Sequence, residues 1–188
     1  MFLNRIKIIK KVNNLTMNQF VFNYSNNEAS HGLSNGLKLF YKSQYPVIVC
    51  VGSDLAVGDT LGPLVGSELK DKLNGKAYVY GTLEAPITAK EVGVIYKTIN
   101  KLHPKSKILV IDAAVGDFGD IGFIKLSESG IKPGLGINKN LEQIGDVSII
   151  GIMSDKTNNG SGIYNETRFS LVKKISVIIV NGILEYLK

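Results

Sequence analysis

Two acidic residues stand where a folded chain can shelter them from water. Asp59 lies in the segment Gly52-Ser53-Asp54-Leu55-Ala56-Val57-Gly58-Asp59-Thr60-Leu61-Gly62-Pro63, and Asp112 directly follows the apolar run Ile108-Leu109-Val110-Ile111. Two carboxylates brought into one sheltered place compete for a single proton, one pKa rising and the other falling, which suits activation of water. The same pair suits a divalent cation, and spacing does not decide between the two. Each acid also has a simpler use. Aspartate commonly caps a helix start, and an aspartate leaving a strand commonly bonds the local backbone amides. Glu84, in Gly81-Thr82-Leu83-Glu84-Ala85-Pro86, is a third candidate for the cluster, or else a solvated loop charge.

Other chemistries have less support. The glycine-bearing segment after residue 52 lacks G-x-G-x-x-G and is followed by no Gly-Lys-Ser/Thr, so nothing specific favours a nucleotide cofactor. His31 lies in a segment without sustained periodicity, and His103 precedes Pro104 at a helix end, where a dipole contact explains it. No serine or cysteine nucleophile has an evident histidine partner. Cys50, the single cysteine, sits inside the apolar run Val47–Val51 as a small buried hydrophobe and has no intramolecular disulfide partner, which favours a reducing, cytoplasmic setting.

The elements that must hold the acids follow from periodicity. Val47–Val51, bounded by Pro46 and Gly52, reads as a strand covered on both faces. Leu61, Leu64, Val65, Leu69 and Leu73 repeat at helical spacing, with Pro63 suited to the first turn, so a helix begins near Asp59 to Gly62. A short strand is expected at 77–80. Thr88 and Glu91 form a capping box, with Ile87 and Val92 as a hydrophobic staple, for a helix whose inner face is Val92, Ile95, Tyr96, Ile99 and Leu102. Strands are expected at 108–111, 121–126 and 147–152, and a final helix from about Asn165 turns Phe169, Val172, Ile175, Ile179, Ile183 and Tyr186 inward. Glycine-bearing loops at 130–136 and 154–162 are placed to admit or cover a peptide.

This order predicts an α/β fold, a three-layer sandwich with a largely parallel central sheet. In such sheets ligands collect outside the carboxyl ends of the strands, where Asp54, Asp59, Glu84 and Asp112 all fall. Residues 1–45, rich in Asn, Ser and Gly, read as a partly flexible amino-terminal extension with a weak helical pattern at Leu33, Leu37 and Phe40, and 46–188 as a single α/β peptidase-like domain. Met1 and Met17 are both candidate starts, and the amino end does not read as a secretion signal.

The 188 residues, 44% of them hydrophobic, are enough for one domain to bury a full core without cross-links. A net charge of +6 permits nucleic acid, but the lysines are scattered and no basic, aromatic-rich motif accompanies them, so nucleic-acid binding is not expected and an acidic partner is favoured. No apolar stretch reaches the roughly 18 residues that cross a bilayer, so no membrane partner is expected.

The segments Val49–Asp54, Gly58–Gly66, Gly81–Pro86 and Val110–Ala113 resemble sporulation proteins of the YyaC type, relatives of the spore germination protease and, more distantly, of hydrogenase maturation endopeptidases. The resemblance runs from about Pro46 to the carboxyl end, and the first two segments are its most specific part. It implies a phosphorylase/hydrolase-like sandwich. It also implies that Asp59 and Asp112 stand where the germination protease has its two proposed catalytic acids and where the maturation enzymes have two metal-contacting acids. The histidine that serves those enzymes as a further metal contact has no counterpart here, which speaks against a nickel-sensing role. The germination protease is a longer chain with a propeptide, so its control and substrate do not carry over.

The expectation is therefore a sporulation-associated protease that hydrolyses an amide bond in a protein or peptide substrate, spore proteins among the candidates, in the cytoplasm of the sporulating cell or forespore. Asp59 and Asp112 are the catalytic pair with Glu84 as a contributor, and Asp54, Gly58 and Thr82 are substrate contacts. No cofactor is required, and a divalent metal ion at Asp59 and Asp112 is the one alternative. A non-catalytic sporulation protein using the same acidic crevice for partner binding is the competing expectation. Oligomeric state is left open.

Overall fold

The computed structural model describes residues 19–132, 143–155 and 167–188. Six strands, β1 (Gln19–Asn23), β2 (Val47–Cys50), β3 (Tyr78–Tyr80), β4 (Ile108–Gly116), β5 (Phe123–Ser127) and β6 (Val147–Asp155), form one sheet in the order β1-β5-β6-β4-β2-β3. The four strands β6, β4, β2 and β3 run parallel, and β5 and β1 are antiparallel additions at one edge. The sheet is thus mixed, with the expected parallel part at its centre.

Helices α1 (Ala29–Phe40), α2 (Leu61–Leu73) and α4 (Phe169–Tyr186) cover one face, and α3 (Val92–Leu102) covers the other. The faces follow from strand alternation. On β4, Leu109, Ile111 and Ala113 pack with α1, α2 and α4, whereas Ile108 and Val110 pack with Val92 and Ile99 of α3 and with Ile87. Central strands buried on both faces need apolar side chains in both directions, as the run 108–111 supplies. Cys50 is fully buried in this core and burial pushes its thiol up, as expected of a small hydrophobe.

The boundary expected at Pro46 does not divide the packed unit. Residues 19–41 supply β1 and α1, and Phe22, Leu33, Leu37 and Tyr41 join the core beneath α4. The Tyr41 hydroxyl accepts the Val47 N–H at 2.9 Å and donates toward the Val47 and Lys107 carbonyls, which ties this segment to the amino ends of β2 and β4. Tyr186 of α4 donates in turn to the Tyr41 carbonyl.

Two inward assignments are corrected. Phe169 opens α4 and is 55% exposed, and Leu102 at the end of α3 is 63% exposed, each lying in a terminal turn of its helix. Tyr186 is partly buried and packs inward against the core and the Tyr41 ring. At residues 88–91 the Glu91 carboxylate accepts the Thr88 hydroxyl at 2.8 Å and its N–H at 3.4 Å, giving one arm of the capping box. The glycine-bearing loops near 130–136 and 154–162 fall mostly outside the described residues. Among the described residues, no helix is long and apolar enough to cross a membrane.

Candidate active site

The site begins where β2 stops. Its ladder with β4 ends at the pair Cys50 and Ile111, the Val51 N–H donates to the Ile111 carbonyl at 2.8 Å, and from Asp112 onward β4 pairs only with β6, Asp112 lying opposite Ile150. A nine-residue strand beside a four-residue one leaves a notch at the carboxyl edge of the sheet. Asp112 is the first residue of β4 to enter it.

The chain after β2 turns back over this notch. Gly52 takes φ 144°, open to glycine and strained for other residues, and its N–H donates to the Ile87 carbonyl. The segment then winds through a 3-10 turn, Val57–Thr60, directly into α2. Two backbone bonds, Ser53 N–H to the Asp59 carbonyl at 3.1 Å and Asp59 N–H to the Ala56 carbonyl at 3.0 Å, fix Asp59 on that turn. Helix α2 sits backbone against backbone on the sheet. A Cβ on Gly62 would collide with the Val51 carbonyl, and one on Gly66 with the Gly81 carbonyl.

Asp59 does not cap α2. The cap position belongs to Thr60, whose hydroxyl donates back to the Ala56 carbonyl at 3.1 Å, and no side-chain cap bond is made. The Asp59 carboxyl is half-buried, and desolvation raises its pKa above the ordinary carboxylate range against a partial offset from the Ser53 backbone. Asp112 accepts the N–H of Ala113 on Oδ1 at 2.8 Å, so the local backbone bond weighed from sequence is present. It does not dominate. Dense protein around the carboxyl pushes its pKa up to about 8, the Ala113 N–H pulls down, and the charge of Asp59 pushes up again. Asp112 as a whole residue keeps partial solvent access, as a group that meets a substrate must.

The two acids, far apart in sequence, therefore feel each other's charge across the notch. Burial favours the protonated form of both acids and does so most strongly at Asp112, an asymmetry that suits one carboxyl to donate while the other accepts. Among the described residues no three His, Cys, Asp or Glu side chains gather into a cage. His31 bonds Glu185 at 2.7 Å and His103 bonds the Tyr80 hydroxyl at 2.7 Å, each on elements away from the pair.

The other candidates are distributed differently. Glu84 is exposed, accepts the Ser67 hydroxyl at 3.3 Å, and has its pKa lowered by its own backbone, Thr82, Ser67 and Lys70, partners in its own turn and on α2 that do not include the aspartates. Thr82 is 3% exposed, and its hydroxyl accepts the Ala85 N–H at 3.2 Å within the turn. Asp54 is exposed on the loop after β2, and Gly58 is buried within the 3-10 turn. The structure thus brings Asp59 and Asp112 within reach of each other's charge, leaves Asp54 exposed on the loop after β2, and ties Glu84 and Thr82 into a neighbouring turn.

Two features were not singled out from sequence. Ser53, whose main chain bonds Asp59, has only its place after β2 to signal it. Leu55 and Phe118, respectively 91% and 79% exposed, follow the carboxyl ends of β2 and β4. Being isolated apolar residues in a loop and a 3-10 turn, they leave no periodic trace.

Comparison with known proteins gives a solved hydrogenase maturation protease, HycI from Thermococcus kodakarensis KOD1, 18% identical, covering 79% of this chain and 98% of that one at a TM-score of 0.46. The chain is 34% identical over 137 residues to the uncharacterized protein YyaC of Bacillus subtilis (strain 168), spanning 73% of this chain and 67% of that protein. Residues 21–182 match a family described as "Protein of unknown function (DUF1256)", which takes in β1 and α1 as well as the aspartate notch, and the chain belongs to that family.

Proposed function

We propose that the chain is a peptidase-like hydrolase that cleaves an amide bond in a protein substrate inside the sporulating cell. The observation that carries it is the meeting of the Asp112 carboxyl with Asp59 where the β2–β4 ladder ends, in surroundings that raise both pKa values and that of Asp112 to about 8. In this mechanism the Asp59 carboxylate takes a proton from water as its oxygen attacks the amide carbon, while Asp112 gives its proton to the carbonyl oxygen. The tetrahedral intermediate then collapses. Asp59 passes its proton to the departing nitrogen, and a hydroxyl of the intermediate returns one to Asp112, so both acids end as they began.

The exposed Leu55, on the segment that leads from β2 to Asp59, supports an apolar-bearing substrate over a small polar one. The motif likeness to the spore germination protease supports amide chemistry and sporulation as its setting. The test is to incubate the purified protein with spore acid-soluble proteins and with a peptide library, beside Asp59→Asn and Asp112→Asn. Cleavage by the unaltered protein alone supports the pair, and equal cleavage by all three removes it.

A further inference from the structure

A second cavity, of about 520 Å³, opens at the amino end of α4, lined by Ser154, Arg168, Lys174, Tyr24, Phe118 and Leu171 among others. Three features coincide there. The Ser154 hydroxyl is buried, the residue only 7% exposed, and has no hydrogen-bond partner among the described residues. Leaving a buried hydroxyl unpaired costs about 1–3 kcal/mol, so a position that keeps one invites a partner from outside the chain. The 18-residue helix α4 starts with no side-chain cap and no acid in its first turn. Arg168 stands at the cap position, and its guanidinium, having no acceptor atom, leaves the first amides and the positive end of the helix open.

Arg168 and Lys174 are exposed and form no ion pair among the described residues, Lys174 lying 5.6 Å from the Tyr24 ring centre. Asp155 also lines the cavity and opposes an anion, but the two cations and the helix end outweigh its single charge. The remaining wall, with Phe118 and Leu171, is apolar and large enough for more than a bare ion.

We propose that this cavity binds an oxyanion, a carboxylate or phosphate carried on a partly apolar molecule, with Ser154, Arg168, Lys174 and the first amides of α4 as its donors. It is separate from the aspartate notch. Ser154 lies four residues along β6 from Ile150, the neighbour of Asp112, roughly 13 Å at strand spacing. The proposal does not require that the chain be a peptidase.

The test follows the ¹H–¹⁵N signals of Phe169 and Ser170 during titration with inorganic phosphate, with N-acetylphenylalanine, and with the amide of N-acetylphenylalanine. Saturable shifts with the acid but not its amide support the site and assign the carboxylate; saturation by phosphate alone supports it and assigns the phosphate. Arg168→Gln, at an exposed position that does not threaten the fold, should weaken binding at least tenfold, and Ser154→Ala severalfold. Asp59→Asn should bind as tightly as the unaltered protein, which separates this site from the proposed peptidase centre. Equal response to acid and amide, saturation by none of the three, or undiminished binding in Arg168→Gln overturns the proposal.

Discussion

The two ends of β4 carry an aspartate each in their neighbourhood, and they are built to opposite ends. At the amino end, the exposed Asp146 carboxylate accepts the Ile108 N–H at 2.7 Å and leaves its other oxygen to solvent, and beside it the buried Tyr41 hydroxyl both accepts and donates to backbone. At the carboxyl end, Asp112 has one backbone N–H for two carboxyl oxygens, shares its surroundings with a second acid, and sits where a neighbouring strand has ended. The satisfied end holds the sheet together. The unsatisfied end looks outward, and its incomplete bonding is the physical reason to place chemistry there.

The largest effect that would break this contrast lies at the carboxyl end. Asp59→Asn and Asp112→Asn should each lower the cleavage rate by about 10²–10⁴-fold while leaving circular dichroism unchanged. The rate of the unaltered protein should fall as pH rises through about 8, where Asp112 loses the proton it must donate, and fall again in acid where Asp59 gains one. A rate that stays flat from neutral to pH 10 would refute the assignment of Asp112 as the acid.

Stability should report the same asymmetry without any substrate. The folded pKa of Asp112 is raised, so the folded state binds its proton more tightly than the unfolded chain does. That contribution is complete below the ordinary carboxylate range and is lost as pH climbs to about 8, a decline on the order of a few kcal/mol. Urea unfolding at pH 5 and pH 8 should show this loss in the unaltered protein and a smaller one in Asp112→Asn.

At the opposite end, Tyr41→Phe should cost about 1–3 kcal/mol by leaving the Val47 N–H unpaired in the core, with activity per folded molecule unchanged. A drop in activity without a drop in melting temperature would blur the distinction between the two ends. The smallest effect belongs to Glu68, which meets Lys72 and Lys173 near the surface: Glu68→Gln should cost less than about 1 kcal/mol, and high salt should shrink even that.

Much of this arrangement was legible in sequence because the central strands are uniformly apolar and their acids fall at abrupt chemical boundaries. The helix after Asp59 and the three-layer order followed directly from periodicity. The amino-terminal elements were harder to see. Helix α1 contains Gly32 and Gly36, which read as loop signals, yet they are contact points: a Cβ on Gly32 would meet the Phe22 ring at 2.7 Å, and one on Gly36 would strike Leu126. Glycine that permits close packing and glycine that permits a turn look alike without the neighbour in view. Leu33, Leu37 and Phe40, all buried here, were the weak helical signal set against them.

The proximity of Asp59 and Asp112 was readable as a possibility of topology, since both lie beyond strand ends. What could not be read was the length mismatch between β2 and β4, because hydrogen bonding to β6 carries β4 past its apolar run into small and polar residues. Glu84 shows the converse. It follows a strand as the other acids do, but β3 is the sheet's edge, so its loop closes on α2 and solvent.

Contact between main chains, where α2 meets the sheet at Gly62 and Gly66, has a further consequence. The acid two residues before this helix takes its location from peptide units that cannot slide or rotate independently, so exchanging the exposed apolar side chains on the loops beside it would leave it in place. The surface at this edge of the sheet is thus free to change its chemistry without moving the acid.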